Sequence, residues 1–261
     1  SLAELRAMTP ERLTAPVQPP AGGRSTGGGM RFSPIIDGYL LPAPIDEIVA
    51  QGKQNDVPIL TGANADEGGS SPNPATTLEA FQNRASQRFA QDAAEFLKLY
   101  PATSGEQAGL ANNDASRDQQ RMSINLWAQA RAKTSKSKIY TYFWAHVLPG
   151  PEADKYGAFH TSEVPYALNT LYMSGRPFAD LDHKVADAMS SYWANFAKTG
   201  TPNGRGLAHW PATSESPETT MRIGDTMEVI PIAGSPAKLQ FWRQYFSRPR
   251  PPQPPLTMPA R

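Results

Sequence analysis

The 261-residue sequence contains no cysteine. That excludes disulfides, thiolate zinc sites, iron–sulfur clusters and a cysteine nucleophile. Net charge is nearly absent as well. The 25 Lys and Arg residues face 24 Asp and Glu, leaving a formal charge of +1. Such a balance carries no electrostatic footprint for nucleic acid or an anionic membrane surface. No apolar run is long enough to cross a bilayer, the longest lying around Ile139–Leu148. The first residues, Ser1–Ala7 (SLAELRA), lack a basic stretch followed by an apolar core, so they do not read as a signal peptide. Aliphatic residues are scarce too. Leu, Ile, Val and Phe number 45 of 261, fewer than the roughly one-fifth below which disorder is expected. Disorder also requires high net charge, which is missing, and five Trp with nine Tyr supply core area in place of aliphatics. The expectation is a folded chain with long ordered loops and a core that is incomplete alone.

Residues 16–29 (PVQPPAGGRSTGGG) read as a flexible loop, and residues 249–261 (PRPPQPPLTMPAR), with six prolines, as an extended tail. No repeat of 20–50 residues is visible. Between these segments, strand and helix patterns alternate. Val57–Thr61 is a short apolar strand. Thr76–Tyr100 carries apolar residues at helical spacing, with Thr77 as its start and Pro101 as its stop. A second helix is expected over Ser116–Lys133 and a third over Asp182–Thr199, the latter stopped by Gly200. Lys138–Leu148, rich in β-branched and aromatic residues, reads as a strand. Met221–Ile223 and Met227–Ile230 suggest a hairpin, and Pro236–Phe246 a closing helix. Strands separated by helices predict an α/β layer structure with a mostly parallel sheet flanked by helices.

Two segments could carry chemistry. In Gly62-Ala63-Asn64-Ala65-Asp66-Glu67-Gly68 two carboxylates follow an apolar strand, the edge of an open α/β sheet where catalytic groups collect. Local chemistry does not separate Asp66 from Glu67, and a solvated acidic turn is the plainer reading. His160 lies on a loop beyond the aromatic strand, a place suited to general acid–base work. Glu163 follows three residues later, but no second histidine stands at a ligand-like spacing, so no metal site is expected. His146 reads as packing inside the strand, His183 as a helix-start residue beside Asp182, and His209 as structural. An acid followed in the chain by a histidine matches two members of a Ser…Asp/Glu…His triad. The third is not apparent: the one G-x-S-x-G string, Gly23–Gly27 (GRSTG), lies in the Pro- and Gly-rich stretch with no strand pattern before it, and there is no HGGG-type oxyanion segment.

Four segments, in order, resemble the C-terminal half of the type-B carboxylesterases, the family of bacterial para-nitrobenzyl esterases and cholinesterases. They are Phe32–Pro42 (FSPIIDGYLLP), Gly52–Gly68 (GKQNDVPILTGANADEG), Ala158–Tyr166 (AFHTSEVPY), and Tyr192–Asn203 with Trp210-Pro211 (YWANFAKTGTPN…WP). The resemblance covers about residues 1–246 and implies the C-terminal portion of one α/β-hydrolase domain, with 247–261 as a Pro-rich tail. It implies Glu67 as triad acid and His160 as general base, with Asp66 and Glu163 as supporting residues. Asn195 and Asn203 fall at structural positions. It also implies no metal or organic cofactor, and a small-molecule ester as substrate. The chain's partner would be the N-terminal segment bearing the serine and the oxyanion hole. That segment is either cleaved but still associated, or joined through a disordered loop. Phe159, Tyr166, Leu171, Tyr172 and Met173 either line an apolar site or pack under the histidine loop. Two other readings compete: a non-catalytic recognition or adhesion module of the same fold, and an N-terminal nucleophile hydrolase using Ser1. The compartment is not legible, although a Cys-free, Pro-rich chain is compatible with secretion or the periplasm.

Overall fold

A computed structural model describes residues 2–14 and 34–248. The expected loop over 16–29 and the tail over 249–261 lie outside the described residues. The chain divides into two units, Ser1–Ile48 and Val49–Arg261. In the first, α1 (Leu2–Ala7) and α2 (Pro10–Thr14) are short helices. Later in this unit one carboxylate organises a turn. Asp37 Oδ1 accepts the backbone N–H groups of Tyr39, Leu40 and Leu41 at 2.9, 2.9 and 3.1 Å. Gly38 takes φ 74° there, a value glycine adopts without a steric penalty. Helix α3 (Ile45–Ala50) crosses into the second unit.

The second unit is built on a four-stranded sheet in the order β1 (Ile59–Asn64), β2 (Ile139–Trp144), β3 (Thr219–Ile223), β4 (Met227–Pro231). β1 and β2 are parallel, β2 and β3 are parallel, and β3 and β4 form an antiparallel hairpin. The expected mostly parallel sheet is therefore present. β2 is Ile-Tyr-Thr-Tyr-Phe-Trp, all strand-favouring residues, and is buried on both faces, as a central parallel strand requires. On one face Tyr140 meets Phe196 and Tyr142 meets Trp193, both from α9 (Asp180–Thr199). On the other, the Arg121 guanidinium of α6 (Gly105–Ala132) lies 4.9 Å from the Phe143 ring centre. Helices thus cover both faces. One core gathers Trp144, Tyr166, Met189, Tyr192, Trp210 and Met221. A second, among α4 (Leu78–Phe89), α5 (Ala93–Leu99), α6 and α10 (Pro236–Ser247), gathers Phe81, Phe89, Phe96, Tyr100 and Trp242.

Four boundaries differ from expectation, each for a physical reason. β1 runs to Asn64, past Gly62, instead of ending at Thr61. Glycine fits inside the strand because a Cβ there would collide with the ring and carbonyl oxygen of Tyr142. The single helix expected over Thr76–Tyr100 is broken at Ala90, φ 47°, into α4, a 3₁₀ turn (Ala90–Asp92) and α5. The break lets Phe89 stack on Phe96 at 4.2 Å between ring centres. Its start is as expected: Thr77 Oγ1 accepts the Ala80 N–H at 3.0 Å. α6 begins eleven residues before Ser116, capped by Ser104. Its first turns bury alanines and Asn113 and show no large apolar stripe. β2 stops at Trp144, so His146 lies in the following loop and not within the strand. Two short helices on the way to α9, α7 (Ala153–Tyr156) and α8 (Val164–Ala167), flank the histidine loop. α9 ends at Gly200, φ 75°, as expected.

Replacing Gly62 by alanine is expected to destabilise the fold by about 1–3 kcal/mol, because the neighbour that must yield includes backbone. Gly175→Ala, with open space around its Cβ position, should stay within about 0.5 kcal/mol. Denaturant unfolding of the two variants checks the contrast.

Candidate functional site

The parallel register sets Asn64, the last residue of β1, beside Trp144, the last of β2. The turns that follow therefore leave the sheet at the same edge. The ladder continues one step, Ala65 N–H donating to the Trp144 carbonyl at 2.8 Å. The chain then reverses through Gly68 and Gly69, at φ 62° and 109°. This places Glu67 at the sheet edge with both carboxylate oxygens engaged. Oε1 accepts the Asn64 N–H at 2.8 Å, and Oε2 lies 2.7 Å from Nδ1 of His160. The Glu67 carbonyl accepts from Gln120 Nε2 at 2.6 Å and from Ser70 Oγ at 2.8 Å, tying the turn to α6 and to itself.

The loop bearing His160 is fixed on both sides. Before it, the Phe159 carbonyl accepts from Asn64 Nδ2 at 2.7 Å. Asp66 pairs with Ala158 twice: its Oδ2 accepts the Ala158 N–H at 2.8 Å and its own N–H donates to the Ala158 carbonyl at 3.1 Å. Asp66 Oδ1 takes Arg117 Nη2 at 2.8 Å in a partly buried ion pair. Gly157, φ 58°, has no Cβ to collide with the Asp66 carboxylate. After it, Thr161 sits at φ 72° and Ser162 Oγ accepts from Trp144 Nε1 at 2.8 Å.

The structure therefore separates the two acids that local chemistry left equivalent. His160 faces Glu67, while Asp66 braces the backbone of the histidine loop. Glu163 points at Asn64, whose Nδ2 it receives at 2.5 Å, and not at the imidazole. Tyr166 and Leu171 are buried in the core cluster that holds Trp144. Tyr172 and Met173 are exposed, and Phe159 is half-buried. A cavity of about 580 Å³ abuts the acid turn at Ala65 and Asp66, but Glu67 and His160 are not among its lining residues. No cluster of three or more His, Asp or Glu side chains among the described residues could hold a metal ion. Among the described residues no helix is long and apolar enough to cross a membrane.

The hydrogen bond to Glu67, then its charge, raise the His160 pKa above the usual 6.5, with the charge of Glu163 adding and slight burial opposing. Burial, with the charges of Glu163 and Glu67, keeps the Tyr142 phenol protonated far above its usual range. With Nδ1–H directed at a carboxylate, the neutral ring carries its lone pair on Nε2. The His160 side chain is 82% exposed, so that edge is open to approach.

Sequence reasoning missed Asn64, Arg117, Gln120 and Ser162. Asn64 was visible only as a polar residue closing an apolar strand. Arg117 and Gln120 stand three apart on α6, a spacing that puts them on one face, but the acid turn they serve is fifty residues away in the chain.

The carboxylesterase family model matches residues 2–242. The chain is 31% identical over 192 residues to a fumonisin B1 esterase of Sphingopyxis macrogoltabida, covering 69% of this chain and 35% of that protein. It is 25% identical to a human cocaine esterase, covering 80% of this chain and 41% of the relative. A para-nitrobenzyl esterase of Bacillus subtilis is 26% identical, over 76% of this chain and 40% of the relative. The chain spans less than half the length of each of these proteins.

A pH titration follows from the Glu67 contact. The raised pKa means that folded His160 holds its proton to higher pH than the unfolded chain does. The stabilisation is fully present below the ordinary histidine pKa and is lost as pH rises through the raised value. Followed by NMR, the His160 midpoint should lie above 6.5 in the wild type and fall in Glu67→Gln. An unchanged midpoint in the variant would remove Glu67 as the cause.

Proposed function

The chain belongs to the carboxylesterase family, and from that premise we propose that it supplies the acid and the general base of a serine ester hydrolase. Glu67 is the acid and His160 the base. The nucleophilic serine and the oxyanion donors belong to an N-terminal segment with which residues 1–246 complete one hydrolase domain. The single observation that carries this reading is the 2.7 Å contact between His160 Nδ1 and Glu67 Oε2, made with Nε2 open. The one G-x-S-x-G string in this sequence, Gly23–Gly27, follows no strand pattern, which is consistent with the serine lying elsewhere.

The chemistry follows from the ring's two edges. His160 Nε2 removes the proton from the serine hydroxyl as its oxygen bonds to the ester carbonyl carbon. The imidazolium formed is stabilised by Glu67, which keeps its own charge. Collapse of the tetrahedral adduct breaks the bond to the alkoxy oxygen, and Nε2 returns the proton to that leaving group. Water then repeats the sequence on the acyl-enzyme, releasing the acid and regenerating serine. Backbone N–H groups of the N-terminal segment hold the oxyanion in both halves. Neither step calls for a metal or organic cofactor. The relatives are named as esterases of fumonisin B1, cocaine and para-nitrobenzyl compounds, which favours a small-molecule carboxylic ester as the substrate class.

In the assembled hydrolase, His160→Ala should lower kcat by about three or more decades, and Glu67→Gln by less, with KM little altered. A fluorophosphonate should label a serine outside this chain. His160→Ala retaining more than about a tenth of wild-type kcat would overturn the assignment of the base.

A further inference from the structure

A second histidine is held more tightly than the first. His146 lies two residues beyond β2, is 5% exposed, and presents each ring nitrogen to a different carboxylate. Nδ1 is 2.7 Å from Asp225 Oδ1, in the turn between β3 and β4. Nε2 is 2.9 Å from Asp182 Oδ1, in the first turn of α9. An ionised carboxylate only accepts hydrogen bonds, and a neutral imidazole carries a single N–H. Both contacts can be donated only by a ring with two protons.

Asp182 is committed as an acceptor at both oxygens. Its Oδ1 also receives the Tyr166 hydroxyl at 2.6 Å, and its Oδ2 receives the Ala179 N–H at 2.8 Å. Burial pushes its carboxyl up, but His146, Tyr166 and the Ala179 N–H together hold it below the usual range. The titratable or charged groups around the ring are Asp182 on α9, Asp225 on the hairpin, the Tyr166 phenol on α8, and Arg176, whose charge reaches Tyr166. One imidazolium between two carboxylates is the charge arrangement these groups favour.

The cluster lies against the loop that carries His160. Tyr166 follows His160 by six residues, and its ring packs 5.1 Å from His146 and 4.9 Å from Trp144. Trp144 in turn holds Ser162, two residues after His160. Asn64 and Asp66 hold the leading side of the loop; on the trailing side Glu163 takes a second Asn64 contact, Ser162 meets Trp144, and Tyr166 packs on the His146 cluster. We propose that His146 is a positioning residue, a buried imidazolium bridging Asp182 and Asp225 that anchors the trailing half of the histidine loop and so the aim of His160. This rests on the reading of His160 as the general base.

The test uses the assembled hydrolase with 15N-labelled histidine. At neutral pH the His146 signals should be those of a ring bearing N–H on both nitrogens, as the two carboxylate contacts require. A His146 ring with one N–H at neutral pH would overturn the proposal. Asp225 is largely exposed, so Asp225→Asn tests the same bridge without threatening the core. In that variant the His146 ring is expected to carry a single N–H at neutral pH, kcat to fall on the order of 10-fold, and KM to stay within about twofold. His146→Gln should lose on the order of 10- to 100-fold in kcat. Unchanged kcat and pH profile in Asp225→Asn would overturn the anchoring role. Activity surviving in His160→Ala would instead overturn the reading of the base, so the two failures are distinguishable.

Discussion

The pairing of Asn64 with Trp144 at the ends of two parallel strands is the constraint on which the site depends. Glu67 and His160 are separated by 93 residues of chain. Nothing local could bring them together. A parallel register does so, because it sends both following turns off the same sheet edge. A one-residue slip would turn every side chain of β1 to the opposite face and carry the acid turn with it. The register is held by the apolar run of β2, by Gly62, which lets the β1 backbone lie close over Tyr142, and by the extra rung from Ala65 to Trp144.

Aromatic residues do the packing that aliphatics do elsewhere. Trp144, Trp210 and Trp242 are each buried, and each finds a partner for its indole N–H. The acceptors are the Ser162 hydroxyl, the Thr141 carbonyl and the Tyr100 hydroxyl. Tyr100 passes the chain on to Asp118, a buried carboxylate also met by Arg121 and the Gly234 N–H. A buried indole without such a partner would leave an unsatisfied donor worth about 1–3 kcal/mol. Truncation of any of these rings costs roughly 3–5 kcal/mol through lost transfer energy and the cavity left behind. The chain's shortage of Leu, Ile and Val is met by large aromatic side chains, and the polar ends of Trp144, Trp210, Trp242, Tyr100, Tyr166 and Tyr192 each find a partner.

The elements legible in the sequence were those whose cause is local. Thr77, Gly200 and the Gly224-Asp225 turn mark ends that depend on a few neighbouring residues, and the structure has them there. Asn203 was placed by resemblance alone, and it brackets Trp210 through both backbone groups. The early turns of α6 were not legible, because small and polar residues fill a tight space against neighbouring chain and produce no apolar period. Arg117 and Gln120 carry meaning only once the acid turn lies over them. His146 was misread for a similar reason. The aromatic run disguised where β2 stops, and its two partners come from α9 and from the hairpin, far along the chain. The acidic turn and His160 were visible as residues, while the choice of Glu67 over Asp66 as the group facing the imidazole came at the sequence level only from the family resemblance, local chemistry leaving the two equivalent.

The twin hydrogen bonds between Asp66 and Ala158 have a consequence for assembly. They join the acid turn and the histidine loop into one body, so the two cannot wander separately. Under the proposed function, a nucleophile from another segment would meet a single preset edge, with only its own position and direction to be fixed. Under that proposal, the entropy of aligning Glu67 with His160 is spent as the sheet forms. An encounter of three bodies is thereby reduced to an encounter of two.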